Sequence, residues 1–207
     1  SFDWVRLRDI VQNDVTRLEG LYGETLSNHD VTVFEERAEI TGEHEITLAS
    51  GKVVTAKYIL IATGAKPHMP EFEGNEHCIT SNEAFHLEEV PKRILIAGGG
   101  YIANEFAGIF NEFGSKVTIA NRSDVILRAY DPALRDRLLQ ISLIKGIDFC
   151  FNVQFEWVKK QEDGTLLVKM TNEDERVYDQ VMIATGRVPN TEGLGLEKVG
   201  VELGKGG

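Results

Sequence analysis

The residues whose types and spacing point most directly to chemistry are Gly98, Gly99, Gly100, Arg122 and Arg128. A short apolar run, Ile94-Leu95-Ile96-Ala97, ends in Gly98-Gly99-Gly100-Tyr101-Ile102-Ala103, a Gly-x-Gly-x-x-Ala turn. An amphipathic helical pattern follows, then a second apolar run from Lys116 to Ala120. Strand, tight glycine turn, helix and strand in that order form the dinucleotide-binding βαβ unit. In that unit Gly98 makes the turn and Gly100 lets the backbone approach a pyrophosphate. Ala103 lets helix and strand pack closely, and the free N–H groups at the helix start hold the negative charge.

The end of the second strand distinguishes the nucleotides. A site for NAD places Asp or Glu there, on the ribose 2′-hydroxyl. This chain has Ala120, Asn121 and Arg122, with Arg128 six residues further on and no carboxylate before Asp124. Two guanidiniums suit a 2′-phosphate in charge and in bidentate geometry. The pattern favours NADP(H) over NAD(H).

Composition narrows the partners. The 207 residues are 42% hydrophobic, enough for a globular core. A formal net charge of −11 argues against nucleic acid and against an anionic membrane surface. No apolar run reaches the length of a membrane span, no signal-peptide pattern stands at Ser1, and the expected location is cytoplasmic. Cys78 and Cys150 lie far apart, in no Cys-x-x-Cys pattern, and read as inert thiols. The five histidines lack ligand spacing, so no metal site is expected.

The elements that position the glycine turn read as an α/β order. It comprises strand 93–97, helix 101–113, strand 116–120, helix 132–144, strand 147–151, a β-meander and strand 180–184. Asp131 is the expected N-cap, with Pro132 at the first helical position and Gly146 closing the helix. Ile102, Phe106, Ile109, Phe110 and Phe113 share one face of the first helix and are expected in the core. An internal repeat accompanies this order. A segment from Glu45 ends in Ile61-Ala62-Thr63-Gly64 with Pro67 following, and one from Leu166 ends in Ile183-Ala184-Thr185-Gly186 with Pro189 following. Both read as a meander delivering a buried strand to a Thr-Gly turn. The first copy is preceded by a helical pattern around Val5 to Leu26 and a strand around Val31 to Phe34, with no glycine-rich turn. The expectation is a piece of a longer protein.

Together these features resemble the flavoprotein pyridine nucleotide-disulfide oxidoreductases, and among them the glutathione reductases most closely. Gly98-x-Gly-Tyr-Ile-Ala-x-Glu105 is similar to that family's NADPH turn, and Arg122-Ser-Asp-x-x-Leu-Arg128 to its 2′-phosphate motif. Ala184-Thr-Gly-Arg-Val-Pro-Asn190 resembles the return into the FAD domain, and Thr80-Ser-Asn-Glu-Ala-Phe85 the crossover into the NADPH domain. Phe2-Asp-Trp4 and Arg17-Leu-x-x-Leu-Tyr22 resemble the helix that presents substrate-side residues.

The resemblance implies an α/β fold: a Rossmann-like NADPH-binding domain with a β-meander, flanked by partial FAD-binding segments. The implied boundaries are 1–81 for a partial FAD-binding domain, 82–185 for the NADPH-binding domain and 186–207 for the return segment. Hydride would pass from NADPH to FAD, then to a redox disulfide and to glutathione disulfide, in a homodimer. Tyr101 would cover the nicotinamide pocket, and Glu105 would lie beside the nicotinamide and pair with a flavin-side lysine. Gly99, Gly186 and Ile102 would line the coenzyme site, Ala38 would contact the FAD adenosine through its backbone, and Tyr22 would touch glutathione. The sequence contains no Cys-x-x-x-x-Cys pair, no FAD pyrophosphate turn and no interface domain with its His-Glu pair, so these residues alone should not turn over. Asn104 replaces a small or branched apolar residue of the family, and Ala120-Asn121 replaces an apolar or aromatic pair; either change is expected to loosen the adenosine pocket. Trypanothione reductase remains open on Pro67-His-Met-Pro70 and Glu76-His-Cys-Ile-x-Ser-Asn-Glu-Ala-Phe85, as do other NADPH-dependent flavoprotein disulfide reductases and a standalone nucleotide-binding module. NAD-dependent dihydrolipoamide dehydrogenase is disfavoured by Arg122 and Arg128.

Overall fold

The computed structural model describes residues 2–204 and 206. Helix α1 (Trp4–Asn28) comes first, then strands β1 (Ala38–Gly42), β2 (Glu45–Leu48), β3 (Val53–Thr55) and β4 (Ala65–Pro67). The short helix α2 (Ser81–Ala84) precedes β5 (Arg93–Ala97), α3 (Tyr101–Glu112), β6 (Lys116–Asn121), α4 (Pro132–Ile144) and β7 (Asp148–Phe151). Strands β8 (Phe155–Lys160), β9 (Leu166–Met170), β10 (Glu175–Tyr178), β11 (Gln180–Ile183) and β12 (Arg187–Pro189) complete the order. The chain divides into two compact units, one of residues 1–9 and 67–186, the other of residues 10–66 and 187–207.

The larger unit is built on a parallel sheet of order β11-β5-β6-β7. Residues 94–97 of β5 are buried on both faces, as a central parallel strand requires. Strand alternation sends Leu95 and Ala97 to one side and Ile94 and Ile96 to the other. On the first side they meet Val158, Leu166, Val168 and Met170 of the antiparallel meander β10-β9-β8. On the second side they meet Ala103, Ala107 and Phe110 of α3. Those three helical residues, spaced i, i+4, i+7, are at most 1% exposed. The seam therefore lies one position away from the expected face. Ile109 is 43% exposed rather than core, because the two alanines bring the helix backbone onto the sheet and turn Ile109 outward. Ile102 and Phe106 pack at the edge of that cluster. Phe113 stacks on Phe2, ring centroids 4.4 Å apart, and meets Trp4 edge-on at 5.6 Å. The Trp4 indole donates to the Leu87 carbonyl at 2.8 Å.

The ends of the elements follow their caps. Asp131 Oδ1 accepts from the N–H groups of Ala133 and Leu134, with Pro132 at the first turn of α4, and Gly146 (φ +88°) follows its last turn. Thr80 and Glu83 form a reciprocal capping box on α2. The two Thr80 hydrogen bonds hold the Glu83 carboxyl below its ordinary pKa. Arg93 donates from its backbone and from Nη2 to Asp179 at 2.8 and 2.7 Å, fastening the start of β5 to the turn before β11.

The smaller unit carries the first copy of the repeat. Its meander β1-β2-β3 turns at Ser50-Gly51 as expected, with Gly51 at φ +84°. Ile40, Leu194 and Leu196 form its core, and the Ile40 N–H donates to the Leu194 carbonyl at 2.8 Å. Two expectations are corrected here. Residues 58–62 form no strand, with Tyr58 and Leu60 81% and 89% exposed, and Val31 to Phe34 form none either. The corresponding strand of the second copy, β11, has β5 as parallel partner. Among the described residues no strand pairs with 58–62 or with 31–34, and a lone strand leaves its backbone groups to water. The Thr-Gly turn still forms without it. Thr63 Oγ1 donates to the Asn190 carbonyl at 2.8 Å, and the Asn190 N–H donates to the Gly64 carbonyl at 2.9 Å.

Candidate coenzyme site

The chain reverses direction across the sheet between β5 and β11. From β5 it runs through β6 and β7 to one side, and β11 returns on the other. In open α/β sheets the crevice beyond the carboxyl ends at such a switch point takes the ligand. Gly98 stands there, at the end of β5, with φ +124°, and a Cβ on it would overlap the carbonyl of Ala184 at the end of β11. Gly100 differs. It is the N-cap of α3 at φ −80°, and a Cβ on it would meet nothing within 4 Å. Its missing side chain leaves open space rather than relieving a clash.

The start of α3 is bare. Helices α2 and α4 take side-chain caps, whereas no side chain caps α3. Its first N–H groups have no intrahelical acceptor and point along the positive end of the helix dipole. That is the arrangement an anionic pyrophosphate requires.

The loop after β6 closes onto this turn. The Leu127 N–H donates to the Gly99 carbonyl at 2.6 Å, with Leu127 at φ +47°, a conformation disfavoured for a branched side chain. Ile126 is 1% exposed and anchors the loop from beneath. Arg122 and Arg128 flank it, both exposed, and among the described residues neither side chain has an ion-pair or hydrogen-bond partner. Two unpaired guanidiniums beside a bare helix start fit a phosphorylated dinucleotide.

The structure therefore brings together Gly98, Gly99, Gly100, Ile102, Arg122 and Arg128. Tyr101 is the first residue of α3 and 52% exposed. Glu105, one turn further along, is exposed and unpaired among the described residues. Gly186 (φ +146°) lies just beyond β11, where its carbonyl accepts from the His68 N–H at 3.0 Å. Ala38 and Tyr22 belong to the other unit: Ala38 opens β1, paired with Leu48, and Tyr22 is 71% exposed on α1.

Asn104 and Asn121, where a loosened adenosine pocket is expected, both have hydrogen-bond partners. Asn121 is 6% exposed, and its amide donates to Ser123 Oγ at 2.9 Å and to the Val125 carbonyl at 2.7 Å. Asn104 donates to the Gly100 carbonyl at 2.8 Å and to the Gly99 carbonyl at 3.3 Å. Both amides tie backbone that an apolar side chain would leave free. The sequence carried part of the signal, an amide at a strand tip with a serine two residues on, but not the loop fold that brings the Val125 carbonyl to it.

Other features stand apart from this site. A shallow depression lined by Asn82, Glu83, His86 and Leu87 contains a carboxylate already committed to the α2 cap. Both cysteines are free. Burial, with the Glu76 charge, pushes the Cys78 thiol up to about 12, and burial also raises Cys150. Neither is a thiolate at neutral pH. No His, Cys, Asp and Glu cluster among the described residues could hold a metal, and no helix is long and apolar enough to cross a membrane.

Comparison with known proteins identifies the family. The family model for pyridine nucleotide-disulphide oxidoreductases matches residues 5–207. The chain belongs to that family. It is 44% identical over its full length to glutathione reductase of Burkholderia cepacia, covering 46% of that protein. It is 39% identical over 99% of its length to the chloroplastic/mitochondrial glutathione reductase of Pisum sativum, covering 37% of it. Trypanothione reductase of Leishmania donovani is 46% identical over 75% of the chain, which covers 32% of that enzyme. The chain spans about half or less of the length of these relatives. Among solved structures, the HOCl-induced flavoprotein disulfide reductase RclA of Escherichia coli superposes over 100% of this chain and 48% of its own, with a TM-score of 0.92 at 28% identity.

Proposed function

We propose that this chain is the NADPH-binding core of a glutathione-disulfide reductase. The observation that carries the reading is the pair of unpartnered guanidiniums, Arg122 and Arg128, on a loop hydrogen-bonded to the uncapped glycine turn. The full-length glutathione reductase relatives support the disulfide as substrate. In this reading residues 82–185 bind NADPH, while 1–81 and 186–207 contribute to FAD binding in a cytoplasmic homodimer.

NADPH would supply hydride, and FAD with a dithiol, when bound, would provide the electron path to glutathione disulfide. The residues of this chain bind and orient. The N–H groups at the start of α3 hold the pyrophosphate, with Gly98 and Gly99 shaping the turn and Gly100 giving the close approach. Arg122 and Arg128 neutralise the 2′-phosphate, and Ile102 and Gly186 line the site. Tyr101 shields the nicotinamide side until coenzyme enters, and Glu105 sets the charge there. Ala38 contributes a backbone contact to FAD, and Tyr22 a contact to glutathione. The two cysteines, with raised thiol pKa values, are unsuited to act as the dithiol. On this reading the 207 residues alone do not reduce glutathione disulfide.

Calorimetry with NADPH and NADH tests the proposal. The chain binds NADPH more tightly, and Arg122→Ala costs NADPH about 1.5–3 kcal/mol, the range for a hydrogen bond to a charged group. NADH binding hardly changes. Equal losses for both coenzymes would refute the assignment.

A further inference from the structure

We infer that Asn121 is the residue that positions the arginine loop, and that through it this chain sets its preference for the 2′-phosphorylated coenzyme. The inference rests on the reading of the chain as an NADPH binder. Asn121 ends β6, immediately before Arg122. Its buried amide gathers Ser123 Oγ and the Val125 carbonyl, and Ser123 Oγ itself donates to that carbonyl at 3.0 Å. One side chain thereby folds residues 122–125 back on themselves.

The same amide faces the glycine turn. A Cβ on Gly99 would come within 2.6 Å of Asn121 Nδ2, so only glycine admits the asparagine at this distance. The Gly99 carbonyl is in turn shared between the Leu127 N–H and the Asn104 amide. Gly99 thus sits between two asparagines. One holds the start of the arginine loop, and the other steadies the carbonyl to which the end of that loop is bonded.

The consequence is pre-organisation. Arg122 and Arg128 bracket a loop tied at Val125 and at Leu127, so their backbone is placed before any phosphate arrives. A ligand that meets a fixed loop avoids the entropy of ordering it. Only a ligand with a phosphate at the 2′ position collects that advantage. NADH, held through its pyrophosphate at the turn, gains little from it. Asn121 touches no coenzyme atom in this scheme and acts through the arginines.

The test is the affinity of the 207-residue chain for NADPH and for NADH, by calorimetry, in four forms: unchanged, Asn121→Leu, Ser123→Ala and Arg122→Ala. Asn121→Leu keeps the branching of the side chain, at a larger volume, and removes both donated bonds. It should weaken NADPH about tenfold, with NADH within about twofold, as expected for the loss of two ordinary hydrogen bonds that act on the loop. Ser123→Ala should move the same ratio by a smaller factor. The gap between the coenzymes should also become less salt-dependent in Asn121→Leu, because the charges no longer converge. An Asn121→Leu chain that loses both coenzymes equally, or neither, overturns the inference. If it does not fold, by its melting curve, Ser123→Ala decides on the same criterion. Arg122→Ala separates the two levels of the argument. If it loses NADPH selectively while Asn121→Leu and Ser123→Ala do not, the inference falls and the coenzyme reading stands. If the unchanged chain shows no preference for NADPH, both fall.

Discussion

Gly98 turns the chain at φ +124° so close to Ala184 that a Cβ would overlap the Ala184 carbonyl, and this approach brings the ends of β5 and β11 together at the switch point of the sheet. The Ala184 N–H donates to the Ala97 carbonyl at 2.7 Å, so the two strand ends cannot separate without breaking the ladder. The crevice is therefore framed by backbone. What a side chain does at each of the three glycines depends on which part of that frame it meets.

Gly98→Ala and Gly100→Ala should consequently separate stability from binding. At Gly98 an alanine is both left-handed and in conflict with the Ala184 carbonyl, and it should cost more than the ~1–2 kcal/mol of the backbone conformation alone. In a chain of this size each kcal/mol lowers the melting temperature by roughly 2–4 °C. At Gly100 an alanine meets no atom of the protein and should cost under about 1 kcal/mol, mostly as a poorer N-cap. It should nevertheless weaken NADPH and NADH together, because it occupies the approach to the pyrophosphate. Melting curves and coenzyme titrations on the two variants check this. A Gly100→Ala chain with unchanged affinity for both coenzymes would remove the pyrophosphate from the turn.

Much of this frame is legible in the sequence. The order from β5 to β11, the Asp131 cap and the Gly146 stop follow from periodicity and local capping chemistry, which depend on near neighbours. The glycine turn and arginine pair were readable for the same reason. What was not legible depends on partners distant along the chain. Ile59-Leu60-Ile61-Ala62 is as apolar as a buried strand, yet a strand needs a ladder, and none is provided among the described residues. Ile109 looked like core because it shares a face with Phe106 and Phe113, but Ala103 and Ala107 set how closely the helix approaches. Asn121 looked like a defect because its acceptors, Ser123 and the Val125 carbonyl, exist only once the loop has folded.

Asp179 should give the larger unit an acid-sensitive fastening. Hydrogen bonding from Arg93, followed by backbone hydrogen bonding and charge, outweighs burial and holds its carboxyl below the ordinary value. A depressed carboxylate contributes stability that is complete above the unfolded value, near 3.9, and is lost as pH falls from there through the lower folded value. Both side chains are partly exposed, 39% for Arg93 and 27% for Asp179, which reduces the contribution through solvent screening. Asp179→Asn should cost about 1–2 kcal/mol at pH 7, at the low end for hydrogen bonds to a charged group. It should also make urea midpoints fall less steeply than in the unchanged chain as pH drops below the unfolded carboxylate value, near 3.9. Parallel curves across that window would show that the pair contributes nothing to acid stability.

Tyr101 offers the sharpest separation between a group that shields the coenzyme site and one that merely packs. Its ring is 52% exposed at the first position of α3, so Tyr101→Ala removes little buried area. Stability should change by no more than about 0.5 kcal/mol, the usual range for a surface substitution. A core aromatic would instead cost about 3–5 kcal/mol. The binding effect depends on which part of the coenzyme is present. 2′,5′-ADP carries the adenosine and 2′-phosphate but no nicotinamide, and its affinity should be unaltered. If the ring covers the nicotinamide pocket as proposed, NADPH displaces it, and removing that obstacle should tighten NADPH by about threefold if opening costs the free energy of a modest contact, near 0.6 kcal/mol. Titration of both ligands against both forms measures the difference directly. If NADPH and 2′,5′-ADP respond alike, the ring does not stand over the nicotinamide, and Tyr101 is an exposed aromatic at a helix start.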